Sequence, residues 1–185
     1  MNVRLWSLVL AWSLGAWATV ILMSGAMAAV IFPTMKQLDP VLPAFASAPG
    51  DHWSLAAGLV MRKIFFISDI VQLVLATACL VSTAVVLKGL QLPAAARRSL
   101  WIPLTVACIA MLAAAFWLSP ALRRDMDEAL VAGRNGNASA MHAARTRFSD
   151  KHKTATGLMV TTLGGVAFAS IAAGIVIKPF AARSS

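Results

Sequence analysis

A chain of 185 residues that is 59% hydrophobic and 12% charged, with a mean hydropathy of +0.78, does not read as a water-soluble domain; such domains carry roughly 25% charged residues. Its 16 Lys+Arg against 7 Asp+Glu do not argue for nucleic acid, because no basic stripe lies on a water-soluble fold. Membrane proteins keep cations at loop ends, where these orient the chain and touch anionic headgroups.

Four uncharged stretches follow in chain order: 5–35 between Arg4 and Lys36, 70–87 between Asp69 and Lys88, 99–122 between Arg98 and Arg123, and 154–177 between Lys153 and Lys178. A spanning helix needs about 20 apolar residues, which the second stretch reaches when Ile64 to Asp69 joins it. Hydrocarbon offers no water to backbone N–H and C=O groups, so each stretch must satisfy its own as a helix. The expected spans are 5–32, 64–87, 100–119 and 154–177, within a single integral membrane domain over 1–185. Pro33 and Pro120 follow the first and third runs, and Trp6, Trp101 and Trp117 lie near span ends, where interfacial aromatics belong. Small residues at four-residue spacing, Gly165, Ala169 and Ala173 in the last span and Gly25 and Ala29 in the first, would let backbones approach closely. Arg4 and Ala26-Met27-Ala28 also resemble a signal peptide with its cleavage site. The apolar run is too long for that and continues to Phe32, so a retained helix is expected; cleavage would leave three spans.

The first connection, 33–63, begins turn-rich with Pro33, Pro40, Pro43, Pro49 and Gly50. Asp51 is placed to cap a helix that starts at His52 and runs on into span two. The second connection, 88–99, is short. The third, 120–153, is the polar part of the chain. Ser119-Pro120 reads as N-cap and first helical residue. Leu122, Met126, Ala129 and Leu130 then form one apolar face, with Arg123, Arg124, Asp125, Asp127 and Glu128 covering the rest and Arg124 pairing with Glu128. Gly133 and Asn135-Gly136-Asn137 end this helix. A second short helix, with Met141, Ala144 and Phe148 on one face, is expected from near Ser139. Both look like amphipathic helices lying on the membrane surface.

Asp69 and Gln72 are the unusual residues. Three apart, they share a helix face, and an ionisable group inside a span faces the bundle interior or a wet cavity. They mark an ion, proton or polar-substrate site, or else Asp69 sits near the interface and pairs with a loop cation. Arg62 and Lys63 read as snorkelling to headgroups. His52, His142 and His152 lack the spacing of a helix metal site, and none lies inside a span, so neither metal nor haem is expected. Cys79 and Cys108, each midway through an apolar run, read as small hydrophobes. No Gly-rich phosphate loop, nucleophile elbow or acid pair appears.

In an up-down bundle, the end of span one, the start of span two, the end of span three and the start of span four meet one membrane side. That side collects Asp69, Gln72, Arg123, Arg124 and His152, which form the candidate polar site. A carboxylate there should seek a cation, Arg123 or Arg124 first; His152 would make the contact pH-dependent. Ten Lys+Arg lie on this side and six on the other, which leans towards connections one and three being cytoplasmic.

The layout resembles a small four-span membrane family related to transmembrane protein 205. The resemblance is carried by Phe32-Pro33 after span one, by Trp117-Leu118-Ser119-Pro120-Ala121-Leu122-Arg123-Arg124 leaving span three, and by Arg147-Phe148 followed by His152. The family pattern puts Leu before that His and Ser three after it, where this chain has Lys151 and Ala155, and an Asn is missing near Leu158 to Thr161. The resemblance implies no established activity in bacteria; for the eukaryotic relative it implies a link to drug resistance and trafficking.

The expected protein is therefore an all-α, four-helix transmembrane bundle, multi-pass in a bacterial inner membrane. Its partners are the lipid bilayer and a possible second copy of itself, with no cofactor, metal or nucleic acid and no identified small-molecule ligand. Three functions compete: a non-enzymatic membrane module, a small oligomeric transporter or channel working at Asp69 and Gln72, and a metal or redox protein using His152.

Overall fold

The structure, a computed structural model, describes the backbone of residues 2–46, 52–90 and 92–182 and side chains as far as residue 176. Its helices are α1 (Val3–Leu38), α2 (His52–Leu90), α3 (Ala94–Leu112), α4 (Ser119–Arg134) and α5 (Ala138–Ala182). A single 3-10 turn, Pro43–Phe45, precedes α2, and a π-helical turn, Ala113–Leu118, joins α3 to α4. Four helical stretches, Val3–Leu38, His52–Leu90, Ala94–Arg134 and Ala138–Val176, are long and apolar enough to cross a membrane. The protein is an all-α four-helix membrane bundle. Its outward residues fit that setting: Trp12, Val74, Ile109, Phe116, Phe168 and Ile175 are all exposed, as lipid-facing side chains should be.

The helices are longer than the apolar runs imply, and the prolines do not stop them. Pro33 lies inside α1, which ends instead where Asp39 takes a left-handed φ of 40°, a conformation that terminates helices. Pro120 lies inside the helical run from Ala94 to Arg134. There the preceding π turn supplies the wider spacing that a proline ring needs next to the carbonyls behind it. Ser119 consequently does not act as a cap. The second short helix of the third connection is likewise not separate: α5 starts after Asn135-Gly136-Asn137 and runs unbroken to Ala182. Gly136 takes the left-handed φ of 67° that the turn requires, and Asn137 Oδ1 accepts from Ala140 N at 3.0 Å, capping α5. The start of α2 at His52 agrees with the sequence, whereas its proposed cap, Asp51, lies outside the described residues.

Two compact units make up the chain. Unit 1 comprises 1–22, 70–112 and 158–185. Its core repeats every three or four residues on each contributing helix: Leu10, Leu14, Trp17 and Ile21; Ala76, Cys79, Thr83 and Val86; Leu100, Leu104, Ala107 and Met111; Thr162, Val166, Ala169 and Ala173. That spacing builds the seams of left-handed helix packing. A Cβ added to Gly165 would lie 2.7 Å from the Pro103 carbonyl oxygen and 2.8 Å from Ala107 Cβ, so α5 meets α3 at backbone distance there. The small-residue stripe of the last span is thus a packing surface. That of the first span is not, since Gly25 has nothing within 4 Å of its missing Cβ and Ala29 is exposed. Cys79 and Cys108 are free and buried in this unit, matching their reading as hydrophobes.

Unit 2 comprises 23–69 and 113–157. Its core is Phe45, Leu55, Leu130, Ala132 and Met141, with Leu42, Leu59 and Met126 packed against it. Cations cover its aromatics: Lys36 on Trp53, Arg123 on Phe66 and Arg134 on Phe45, at 5.9, 5.1 and 5.3 Å from the ring centroids. His52 Nδ1 accepts from Leu42 N at 3.1 Å, tying the proline-rich connection to the start of α2.

Candidate functional site

The polar groups of unit 2 lie on α2, α4 and the first third of α5. Asp69, half-buried on α2, accepts a hydrogen bond from Ser119 Oγ at 2.8 Å. Ser119 Oγ in turn accepts from Arg123 Nη2 at 3.4 Å, and Arg123 Nε donates to the Ser119 carbonyl at 3.3 Å. The hydroxyl therefore bridges carboxylate and guanidinium, and Arg123 is an electrostatic partner of Asp69. A span carboxylate so placed has both a donor and a nearby cation to offset the cost of leaving water. At the residue before Asp69, the hydroxyls of Ser24 and Ser68, both buried, meet at 2.9 Å.

Of the other members of the sequence-derived site, Arg124 and His152 do not join this group. Gln72 belongs to unit 1, where its Oε1 accepts from the buried Trp17 Nε1 at 3.2 Å. Arg124 is exposed and lines a groove instead of pairing with Glu128. His152 is exposed and stacks on Phe148, with ring centroids 5.7 Å apart. Among the described residues, no three His, Cys, Asp or Glu side chains converge as a metal site.

The most buried charge was assigned by sequence to the solvated face. Asp125 is 3% exposed. Lys151 Nζ donates to its Oδ2 at 2.6 Å and Arg147 Nε to its Oδ1 at 3.4 Å. Arg147 also donates to Glu128, and Arg62 donates to Asp127. A signal for Asp125 was present. Leu118, Leu122, Asp125, Ala129 and Ala132 continue one 4-3-4-3 stripe, and on α5 Met141, Ala144, Phe148 and Lys151 form another. Opposite charges on the inward stripes of two successive helices mark a cross-helix pair; the stripe on α4 was drawn through Met126 instead.

A groove of about 1140 Å³ opens on unit 2. Arg62, Arg123, Arg124 and Arg147 line it with Asp127 and Glu128, over walls that include Pro120, Val131 and Ala140. Asp127 and Glu128 neutralise Arg62 and Arg147 within it.

Fold and charge distribution thus define a multi-pass helical membrane protein. Over residues 53–130, from α2 through most of α4, the chain is similar to DUF4149, a domain of unknown function. That stretch contains Asp69, Gln72, Ser119, Arg123 and Asp125; Arg147, Lys151 and His152 lie beyond it. No curated protein and no solved structure matches the chain.

Proposed function

We propose that this protein is a non-enzymatic, multi-pass module of a bacterial inner membrane, whose in-span polar groups hold helices together rather than conduct a solute. The observation that carries this reading is how those groups are used. Asp69 is engaged by Ser119, Ser68 by Ser24 and Gln72 by Trp17, in each case across two helices. Polar side chains used this way are the glue of membrane bundles. The lining of the unit 2 groove includes Arg123 but not Asp69, which favours the module over the transporter. His152 is stacked and exposed, and among the described residues it joins no group of three His, Cys, Asp or Glu side chains. The kinship to transmembrane protein 205, self-association and a cytoplasmic placement of connections one and three are parts of the same proposal. They rest on the quoted motifs and on the cation count.

The test is a flux measurement on the purified chain in proteoliposomes, wild type beside Asp69→Asn. Equal proton and alkali-cation leak for the two, with a lower melting temperature for the variant, is the expected result. A flux that Asp69→Asn abolishes while the protein stays folded would establish the transporter instead.

A further inference from the structure

A further concavity lies in unit 1, has a volume of about 550 Å³ and is lined by Ala84, Leu87, Lys88, Leu92, Arg97 and Trp101. Its composition differs from that of the unit 2 groove in a decisive way. Both of its cations are exposed, and neither side chain has a hydrogen bond, ion pair or ring contact among the described residues. No acid is available to either within the unit, since every Asp and Glu of the chain falls in the sequence ranges of unit 2. Two unneutralised cations so close together repel each other and attract an anion. The helices hold them there: Ala84 and Lys88 share a face at the end of α2, and Arg97 and Trp101 share one at the start of α3. The N-terminus of α3 adds its positive dipole end.

We propose that this concavity binds the phosphate of an anionic phospholipid. Lys88 and Arg97 contact the phosphate oxygens, the guanidinium in the two-pronged manner that phosphate favours. Trp101 lies at headgroup level, where its amphipathic ring belongs. Ala84, Leu87 and Leu92 supply an apolar wall for the glycerol and the first methylenes, which a free phosphate would leave uncovered. Basic pockets between membrane helices bind anionic headgroups by this combination of charge and apolar wall.

Native mass spectrometry of the full chain, released from nanodiscs of phosphatidylcholine with or without phosphatidylglycerol, tests the assignment. Wild type should retain phosphatidylglycerol in preference to phosphatidylcholine. The Lys88→Gln/Arg97→Gln variant should retain roughly thirtyfold less, as expected for two cations near the membrane surface. Arg98→Gln, the neighbouring cation outside the lining, should match wild type. Should the double variant not fold, the unmodified chain still decides: its retention must fall as salt screens the contact. Equal retention by the double variant, loss by Arg98→Gln, salt-independent retention, or displacement of the lipid by millimolar inorganic phosphate would each overturn the proposal.

Discussion

Unit 1 and unit 2 are built from stretches of the same helices, yet their contacts differ in kind. In unit 1, α5 meets α3 through Gly165 against the Pro103 carbonyl, and the core repeats are mostly apolar, Leu and Ala foremost. Two of its buried hydroxyls turn back on their own helices, Ser82 to the Ala78 carbonyl at 2.6 Å and Thr162 to that of Leu158 at 2.8 Å. In unit 2 the helices meet through side-chain charge: Asp125 with Lys151 and Arg147, Asp127 with Arg62, and Asp69 with Arg123 through Ser119. The surrounding solvent explains the division. Between helices in lipid no hydrophobic drive remains, so close packing of small residues must hold them. Where helices carry cations and acids, ion pairs fix which faces meet, and every acid of the chain is in that unit.

The largest effect expected from breaking this comparison is at Asp125. Its side chain is 4% exposed, and Lys151 is its closer cation. Removing one partner of a buried pair strands the other, so Lys151→Met should cost about 3 kcal/mol, the low end for such losses because Arg147 remains. Replacing both, Asp125→Leu with Lys151→Met, should recover most of that loss, because an apolar pair of similar volume strands no charge. Thermal melts in one detergent would show this. A loss below about 1 kcal/mol for Lys151→Met would mean that the charge pair does not lock α4 to α5.

Glycine substitutions sharpen the same contrast. Gly165→Ala drives a Cβ into the Pro103 carbonyl and Ala107, backbone that cannot swing aside, and should cost about 2 kcal/mol by overpacking. In unit 2, a Cβ on Gly58 would meet Met126 Cε at 2.8 Å, a flexible end that can turn away. Gly58→Ala should therefore lie near neutral, and Gly25→Ala, with open space, should be neutral or gain up to about 1 kcal/mol from helix propensity. Equal losses at Gly165 and Gly58 would show that unit 1 is no more tightly packed than unit 2.

The Asp69 cluster sits lower on the scale. A cycle of Asp69→Asn and Ser119→Ala should show a coupling of about 1 kcal/mol, the size of a charge-assisted hydrogen bond that is half-exposed. Additivity within error would mean that Ser119 does not hold the carboxylate.

These sites differ in how far the sequence discloses them. The four spans were legible because hydrocarbon demands long uncharged runs. The helix ends were not, because Pro33 and Pro120 are helix breakers by rule, and it took a π turn at Ala113–Leu118 to keep Pro120 within a helix. Asp69 stood out as a charge in an apolar run, and the cation side of its environment followed from topology. Its hydroxyl bridge did not, because Ser119-Pro120 is also a capping signature and nothing local separates the two uses. Asp125 was lost to the opposite error, a buried acid hidden among four charged neighbours on a helix that looks solvated. Gln72 illustrates a third limit. Sharing a face with Asp69 says nothing of which helix each faces, and Trp17 was not singled out as a partner.

The smallest expected coupling concerns that last contact, a cross-helix polar bond of unit 1. Trp17 is fully buried, and its Nε1 donates to Gln72 Oε1 at 3.2 Å. No charge is involved, and the chain inserted but not yet packed in a membrane finds other partners for the same groups, which keeps such bonds weak. A cycle of Trp17→Phe and Gln72→Met isolates the pair from the cavity that the smaller ring leaves, because the cavity appears in both Trp17→Phe variants and cancels. The coupling should be about 0.6 kcal/mol, the average for interhelical hydrogen bonds between membrane helices. At that size unit 1 stands on packing, and Gln72 merely satisfies the indole. A coupling above about 2 kcal/mol would exceed what neutral pairs in membranes give. It would mean that unit 1, like unit 2, is fixed by its polar contact, and the division between the two would have to be drawn by charge alone.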